Sequence, residues 1–360
     1  MTESNCKGRV LSGMRPTGKL HLGHLSVLEN WVKLQEDYKC FYFIADWHAL
    51  TTSYDDTTRI VEMGREMAID WLSVGLDPKR SCIFRQSDIK EHAELYLLFS
   101  MMTPLGWLER VPTYKDQVQQ FGKAGKDITT HGFLGYPLLM AADILIYRAN
   151  FVPVGEDQSA HLEFSRELVR RFNHLYDTDV LVEAQPLFAK IKMLPGIDNR
   201  KMSKSYHNDI SVSATPEEVW DKVQQMVTDP SRIRKSDPGH PDICTVYKYH
   251  TIYNEGEKEE ICAACKGGEI GCFACKKKLA AKMDAFLAPI IERRQALLAQ
   301  PNLVDDILAE GALEARRRRA RPWTWCATLC IFKGRGKPCR KAPTPFIWKT
   351  STVPLTYCCI

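Results

Sequence analysis

The sequence predicts an α/β chain in which a parallel sheet wrapped by helices is followed by a smaller all-helical domain. Two observations favour this fold class. Up to about residue 205, short apolar or β-branched runs alternate with longer segments of helical period, as in a sheet buried between helices. From about Thr215 the strand-like runs stop and amphipathic helical segments take over.

Five strands and the helices between them are predicted in the first part of the chain. The strand predictions are Arg9–Ser12, Cys40–Ala45, Ser81–Phe84, Phe151–Val154 and Asp179–Val182. The helical stretches include His24–Gln35, Thr57–Val74 and Ala160–Asn173. This alternation predicts a first domain over residues 1–205.

Residues 206–315 form the predicted helical domain. Thr215 is a suitable N-cap, and Pro216, Glu217 and Glu218 suit the first turn that follows it. A last helix that returns to the first domain would close this part of the chain. Beyond it, residues 316–360 show neither helical nor strand period. We interpret this tail as disordered or out-of-frame sequence, with a basic RNA-binding extension as the alternative.

Charge and composition narrow the class of protein. The 360 residues are 44% hydrophobic, enough for two cores, and carry a formal charge of +5. The tail holds 11 Lys and Arg and no Asp or Glu, so the remainder has 38 basic and 44 acidic residues, a net charge of −6. A nucleic acid would therefore have to bind a local basic surface. No apolar run is long enough for a signal peptide or a membrane span, so we expect a cytoplasmic protein without membrane contact.

A phosphate site is predicted where the first strand leads into a helix. The segment LSGMRPTG contains Arg15, Pro16 and Thr17, and it is followed by His21-Leu22-Gly23-His24. Gly23 lets a nucleotide approach the backbone, the helix N-terminus presents unpaired N–H groups, and His21 and His24 can donate to phosphate oxygens. Taken alone, the histidines could equally be helix caps.

A second motif, Lys201-Met202-Ser203-Lys204-Ser205, strengthens this interpretation. Its two ammonium groups can stabilise charge that develops on a leaving pyrophosphate, more strongly in the transition state than in the ground state. We therefore predict that His21, His24, Lys201 and Lys204 are catalytic.

Together these motifs resemble the HIGH and KMSKS signatures of class I aminoacyl-tRNA synthetases. The resemblance implies a Rossmann-like first domain that binds ATP with Mg²⁺, forms an aminoacyl-adenylate and passes the amino acid to tRNA. It also implies that ATP contacts Arg15, Pro16, Thr17, Gly23, His24 and Lys201 to Ser205. The resemblance also assigns a phosphate contact to Lys115, although this chain departs from related sequences, which often carry a second lysine where it has Gln117.

An apolar helix with one carboxylate, YPLLMAADILIY, suggests the amino acid. Met140 and Asp143 share a helix face, where a thioether can pack on an indole and a carboxylate can accept its N–H. From these residues alone, a buried Asp satisfied by a neighbouring Tyr or backbone N–H is an equal alternative.

The segment VPVGEDQ, residues 152–158, shifts the balance, and the two segments together resemble tryptophanyl-tRNA synthetases over about residues 9–315. The resemblance implies that Asp143 accepts the indole N–H beside Met140, that Tyr136 and Gln158 bind the ammonium, and that Gly155, Glu156 and Asp157 lie at the ATP ribose. It further implies L-tryptophan, ATP and tRNA(Trp) as partners and a homodimer. The alternatives are a tyrosyl-tRNA synthetase and a non-catalytic RNA-binding protein with a metal or cluster.

Thirteen cysteines in a chain expected to be cytoplasmic indicate metal or cluster ligands rather than disulfides. Two CxxC pairs, Cys262 with Cys265 and Cys272 with Cys275, resemble a zinc ribbon. A subset of tryptophanyl-tRNA synthetases carries a [4Fe–4S] cluster, and GHPDIC together with GGEIGCFACKKKLA resembles their sequence. That resemblance implies Cys244, Cys265, Cys272 and Cys275 as ligands, with Cys262 as an extra thiol. Zn²⁺ stays the alternative, because four sulfurs suit both.

Overall fold

A computed structural model describes residues 6–123, 125–155, 159–188 and 194–332. Within them, the strands are β1 (Arg9–Met14), β2 (Lys39–Ile44), β3 (Ser81–Arg85), β4 (Phe151–Val154) and β5 (Gln185–Phe188). They form a sheet in the order β3-β2-β1-β4-β5, with every neighbouring pair parallel. The predicted parallel sheet is confirmed.

Helices surround this sheet. In the first part of the chain they are α1 (Leu22–Asp37), α2 (Asp46–Ser53), α3 (Ile60–Val74), α4 (Glu91–Ser100), α5 (Leu105–Glu109), α6 (Pro112–Lys123), α7 (His131–Leu134), α8 (Tyr136–Ile146) and α9 (Ser159–Tyr176). After β5 come α10 (Pro216–Gln225), α11 (Thr245–Tyr253), α12 (Lys258–Lys266), α13 (Cys272–Leu298) and α14 (Leu303–Phe332). Thr215 caps α10 as predicted, in a capping box with Glu218.

The predicted fifth strand is wrong in position. Residues 179–182 are irregular, and the strand lies at Gln185–Phe188 instead. Val180 and Leu181 are apolar because they are buried, but the backbone of Leu181 bonds to the Asn173 side chain, with Nδ2 donating to its C=O at 3.0 Å. A side chain thus satisfies backbone groups that a sheet neighbour would otherwise satisfy.

The core lies on both faces of the sheet. Along β2, Cys40, Tyr42 and Ile44 belong to one buried cluster, and Phe41 and Phe43 belong to the other. Side chains of a strand point alternately to opposite faces, so a strand covered on both sides is apolar throughout. The first cluster continues into the helical part through side chains of α11 and α13, so the two parts share a core.

The last two helices return to the first part of the chain. Helix α13 packs on α3, and α14 packs on β3 at the edge of the sheet. The contact at Gly311 is so close that a Cβ there would lie 1.8 Å from the carbonyl oxygen of Ile83, and the same glycine accepts a bond from Cys82 at 3.0 Å. Gly311 is therefore required for the helix to approach the strand backbone.

The irregular tail expected from residue 316 differs from the structure, because α14 continues to Phe332. The first tail residues are Arg and Ala, which have high helix propensity, so a helix already begun at Leu303 continues through them. Residues 333–360 lie outside the described part of the chain. Among the helices that are described, none is both long and apolar enough to cross a membrane.

Candidate active site

A cavity of about 420 Å³ opens at the carboxyl edge of the sheet between the ends of β1 and β4. The chain order of the strands reverses there, since β1 lies between β2 and β4. Open parallel sheets bind ligands at this switch point, and the volume suits a small molecule. Five of the predicted binding residues line the cavity: Arg15, Tyr136, Met140, Asp143 and Gly155.

Asp143 is the buried polar centre of this cavity. Its side chain is 1% exposed and accepts hydrogen bonds from three side chains. Oδ1 accepts from His92 Nδ1 at 2.6 Å and from Gln86 Nε2 at 2.8 Å, while Oδ2 accepts from His48 Nε2 at 3.0 Å and shares the Gln86 amide at 3.0 Å. Two imidazoles and an amide therefore hold the carboxylate, rather than the tyrosine or backbone N–H considered from the sequence.

The charge of Asp143 is stabilised by these partners. Burial raises the pKa of its carboxyl group, but the imidazoles of His92 and His48 outweigh burial and bring the pKa below its usual value. The group is thus ionised at neutral pH. Three donors approach a carboxylate that has about four acceptor positions, which leaves capacity for one further N–H.

His48, Gln86 and His92 are site residues that the sequence analysis missed. Two of them had a usable signal: His48 follows the end of β2 and Gln86 follows the end of β3, and such positions meet at the carboxyl edge of a parallel sheet. His92 lies inside α4 with its other ring nitrogen 2.8 Å from the Tyr147 hydroxyl, and no local pattern marks it.

The predicted ammonium and ribose residues are only partly described. The Tyr136 hydroxyl lies 2.6 Å from His161 Nε2 at the cavity wall, and Arg15 donates to the Thr52 hydroxyl. Gly155 lines the cavity. Glu156, Asp157 and Gln158 lie outside the described residues.

His21 and His24 are locked at the N-terminus of α1. His21 is the N-cap, and its Nδ1 accepts from the backbone N–H of Gly23 at 3.2 Å, while His24 Nδ1 accepts from the backbone N–H of His21 at 3.3 Å. A Cβ on Gly23 would lie 3.0 Å from the His21 ring, so the glycine keeps room for it. Because both Nδ1 atoms accept, each neutral ring carries its proton on Nε2 and can donate it to a phosphate oxygen.

Both imidazoles are neutral at pH 7. Burial lowers the pKa of His24 to about 4, and the neighbouring His21 and Lys204 add to this effect. Burial likewise lowers the pKa of His21. At neutral pH the two rings therefore carry no charge and remain available as hydrogen-bond donors.

The two signature motifs are in contact although they are far apart in sequence. Met202 is buried with its sulfur 3.3 Å from the Gly23 nitrogen. The chain just after the second motif also pairs with the chain around His21: Val212 N–H donates to Leu20 C=O, and Leu22 N–H donates to Ile210 C=O, both at 2.9 Å. The two motifs that together carry the resemblance are thus in direct contact.

Lys204 begins a short 3₁₀ turn, Lys204–Tyr206, and its ammonium donates to the carbonyl of Thr17. Burial lowers its pKa, while Asp209 and then Asp70 favour the charged form. Ser203 N–H donates to Asn208 Oδ1 at 2.8 Å, which holds the start of the turn. Lys201 and Ser205 are exposed.

Three other predicted nucleotide residues differ in their surroundings. Pro16 is buried and Thr17 is exposed, apart from the carbonyl that Lys204 contacts. Lys115 is exposed on α6, whereas Gln117 of the same helix lines the cavity. Of these two α6 side chains, Gln117 is therefore the one that lies at the cavity.

Four of the five clustered thiols lie within electrostatic reach of one another. Burial raises the pKa of Cys275 to about 12, and Cys244, Cys265 and Cys272 all add to the shift. Cys262 instead bonds to Tyr247. In the described parts of the chain, no group of three or more His, Cys, Asp or Glu side chains is arranged so that it could hold a metal ion.

This fold and these paired motifs define a class of protein. The sequence profile described as tRNA synthetases class I (W and Y) matches residues 3–288. The chain therefore belongs to the class I tRNA synthetases of the tryptophan and tyrosine group.

Individual relatives favour one member of that group. The Tryptophan--tRNA ligase of Thermotoga maritima is 51% identical over 317 residues, covering 87% of this chain and 96% of the relative. The enzyme of the same name from Ralstonia nicotianae is 42% identical over 380 residues, covering 86% and 94%. Tryptophanyl-tRNA synthetase from Campylobacter jejuni, solved with ADP and tryptophan, gives a TM-score of 0.80 at 32% identity, covering 88% of this chain and 98% of that one.

Proposed function

We propose that the chain is a tryptophan–tRNA ligase. It activates L-tryptophan with ATP to tryptophanyl-adenylate and transfers the tryptophanyl group to tRNA(Trp). The observation that carries this proposal is the ionised, buried Asp143 in a mainly apolar cavity, together with the contact between the HIGH and KMSKS motifs. The relatives from Thermotoga maritima and Campylobacter jejuni support the choice of amino acid.

Tryptophan occupies the cavity with its indole N–H bonded to Asp143 Oδ2. The Met140 thioether lies on the same helix face and packs on the ring. A site built around an acceptor for N–H rejects analogues that lack the donor, because the buried carboxylate would lose a partner. Tyr136 and Gln158 bind the α-ammonium, with Gly155, Glu156 and Asp157 at the ribose of ATP.

ATP binds at the start of α1. The helix N-terminus attracts its phosphates, and His21 and His24 donate from Nε2. When bound with the nucleotide, Mg²⁺ would lessen the negative charge of the phosphates. Arg15, Pro16 and Thr17 follow β1 and border the same nucleotide.

In the first step a carboxylate oxygen of tryptophan attacks the α-phosphorus, and the bond to the β-phosphate oxygen breaks to release pyrophosphate. Negative charge builds on this leaving group, where the ammonium groups of Lys204 and Lys201 stabilise it. In the second step a ribose hydroxyl at the tRNA 3′ end attacks the adenylate carbonyl, and AMP leaves.

ATP–pyrophosphate exchange assayed with each of tryptophan and tyrosine tests the proposal. We expect exchange with tryptophan and little with tyrosine. Exchange that prefers tyrosine would make the chain a tyrosyl-tRNA synthetase. No exchange with either would favour the non-catalytic RNA-binding alternative.

We further propose that Cys244, Cys265, Cys272 and Cys275 hold a [4Fe–4S] cluster. Cys244, Cys265 and Cys272 all act on the pKa of Cys275, so the four thiols lie near one another, and four cysteine thiolates are the usual ligands of such a cluster. Arg232 and Lys276 supply positive charge beside them, with Arg232 Nη1 3.7 Å from Cys265 Sγ. When bound, the cluster would cross-link the start of the helical domain to α13, which is a structural role.

Anaerobic purification tests this cluster. Brown protein is expected, and Cys244→Ala should abolish the colour while Cys262→Ala keeps it. The matched pair separates the two candidate ligand sets, since they differ only in the fourth thiol. Colourless protein with one zinc per chain would overturn the cluster and leave the ligase proposal intact.

We propose that the helical domain, residues 206–315, contacts the tRNA anticodon. We also propose a homodimer through an exposed apolar surface formed by Leu97, Met101 and Leu105 at the ends of α4 and α5. Sedimentation of wild type and Met101→Glu checks the second point, with a dimer expected only for the wild type.

A further inference from the structure

A buried carboxylate on α3 lies directly behind the HIGH turn. Asp70 is 1% exposed, and its Oδ2 accepts the backbone N–H of Leu20 at 2.6 Å. Leu20 immediately precedes His21, the N-cap of α1. The bond is charge-assisted and short, so it fixes where the histidine-bearing turn begins.

The partner of this carboxylate comes from the helical part of the chain. Arg294 of α13 donates from Nη1 to Asp70 Oδ1 at 2.5 Å and from Nη2 to Glu66, one turn earlier on α3. Arg294 is 6% exposed. Burying an ion pair costs desolvation energy, so apolar residues would often stabilise the fold as well. We therefore explain the pair of Arg294 and Asp70 by the geometry that it imposes rather than by stability.

The same turn is held on its other side by the second signature motif. Leu20 C=O accepts from Val212, seven residues after Ser205, while Lys204 reaches the carbonyl of Thr17. Removing the bond from Asp70 would free one side of the turn only. The histidines would then shift relative to Lys204, and the phosphates lie between these groups in the proposed reaction.

Electrostatics point the same way. Burial raises the pKa of Asp70 to about 6, and the negative charge of Glu66 adds to this rise. The Leu20 N–H, Arg294 and Lys19 have the opposite effect and lower the pKa. Asp70 in turn favours the charged form of Lys204. The carboxylate thus supports both the position of one motif and the charge of the other.

We infer that Asp70 is a positioning residue for adenylate formation, and that Arg294 holds it in place from the helical domain. The inference rests on the proposed function, because it assumes that phosphates bind between the two motifs. Helix α13 thereby connects the ATP site to the cysteines at its own N-terminus. Between Cys272 and Arg294 this helix spans roughly 33 Å.

The test compares Asp70→Asn and Arg294→Lys with a matched control, Arg293→Gln. Arg293 also joins α13 to α3, donating to the Ser73 carbonyl at 2.5 Å, but it has no bond to Leu20. A displacement of 1 Å can lower a rate about 100-fold. We therefore expect Asp70→Asn to lower kcat of exchange by roughly 10- to 100-fold and to weaken ATP binding, with KM for tryptophan within about 2-fold.

Arg294→Lys should lower kcat less than Asp70→Asn does. Arg293→Gln should leave kcat of exchange and the Kd for ATP within about 2-fold of wild type. Exchange is measured with whichever amino acid the wild type uses, and Kd for ATP is measured by calorimetry, so a wrong amino-acid assignment does not affect the comparison. If Asp70→Asn does not fold, Arg294→Lys carries the test. Equal losses in Arg293→Gln, or a lowered Tm with unchanged kcat and ATP affinity, would overturn the inference.

Discussion

Replacing Asp143 by Asn changes the amino-acid cavity at its charged group while keeping the shape of the side chain. An amide accepts at one position and donates at the other. In the more favourable orientation its oxygen keeps the bonds from His92 and Gln86, and its nitrogen takes the place of Oδ2 beside His48. The indole N–H of tryptophan then meets a donor instead of a charged acceptor.

The expected loss follows from that exchange of groups. A hydrogen bond to a charged group contributes about 1.5–3 kcal/mol, which corresponds to roughly 10- to 150-fold in affinity. We expect KM for tryptophan to rise by at least about 10-fold in ATP–pyrophosphate exchange. KM for ATP should change by less than about 2-fold, because none of the bonds to Asp143 comes from the HIGH or KMSKS motif.

Met140→Leu is the matched control for this variant. It keeps the approximate volume of a neighbouring cavity side chain and replaces the thioether by a branched aliphatic group without changing charge, so its KM for tryptophan should rise by less than about 5-fold. Thermal melting establishes that both variants are folded at the assay temperature. A folded Asp143→Asn variant with wild-type KM for tryptophan would refute the indole assignment.

Three further variants have defined outcomes. Lys204→Ala should slow adenylate formation by roughly 10- to 150-fold while Kd for tryptophan, measured by calorimetry, stays unchanged, and equal losses would argue against a role in pyrophosphate departure. Gly311→Ala should lower the urea midpoint, because the added methyl would lie 1.8 Å from the Ile83 carbonyl oxygen and cost about 1–3 kcal/mol of stability. Gly122→Ala is the control, because open space surrounds that position and the protein should gain up to about 1 kcal/mol of stability. Stabilisation by both substitutions would contradict the close approach of α14 to β3. Deleting residues 333–360 should leave tryptophan-dependent exchange intact, and a tenfold loss of tRNA charging that fades with salt would make them an RNA-binding arm.

The sequence was most informative where one local pattern determines one element. Four of the five strands lie where the apolar runs predicted them, because a strand buried on both faces has to be apolar throughout. The fifth was misplaced because burial alone makes Val180 and Leu181 apolar. The observed strand, β5, contains Pro186. Proline within a sheet is found mainly in edge strands, and β5 does lie at an edge of the sheet.

The site was predictable to the extent that its residues lie in contiguous motifs. Gly23 and Met202, which the structure brings into contact, each belong to such a motif. The partners of Asp143 come from three other elements, and whether His92 faces that carboxylate depends on how α4 packs on α8. The position of His92 therefore depends on tertiary structure, whereas His48 and Gln86 at least follow the ends of strands.

The packing of α14 on β3 has a consequence for synthesis of the chain. β3 is an edge strand, and the unpaired backbone of such an edge can pair with another chain. Helix α14 begins at Leu303, 218 residues after β3 ends at Arg85. At about 5–20 residues per second, the ribosome needs on the order of 10–40 s to make that stretch. Each nascent molecule therefore passes through a period in which β3 is uncovered and the sheet can aggregate. In chains that stop before Leu303, β3 stays uncovered permanently.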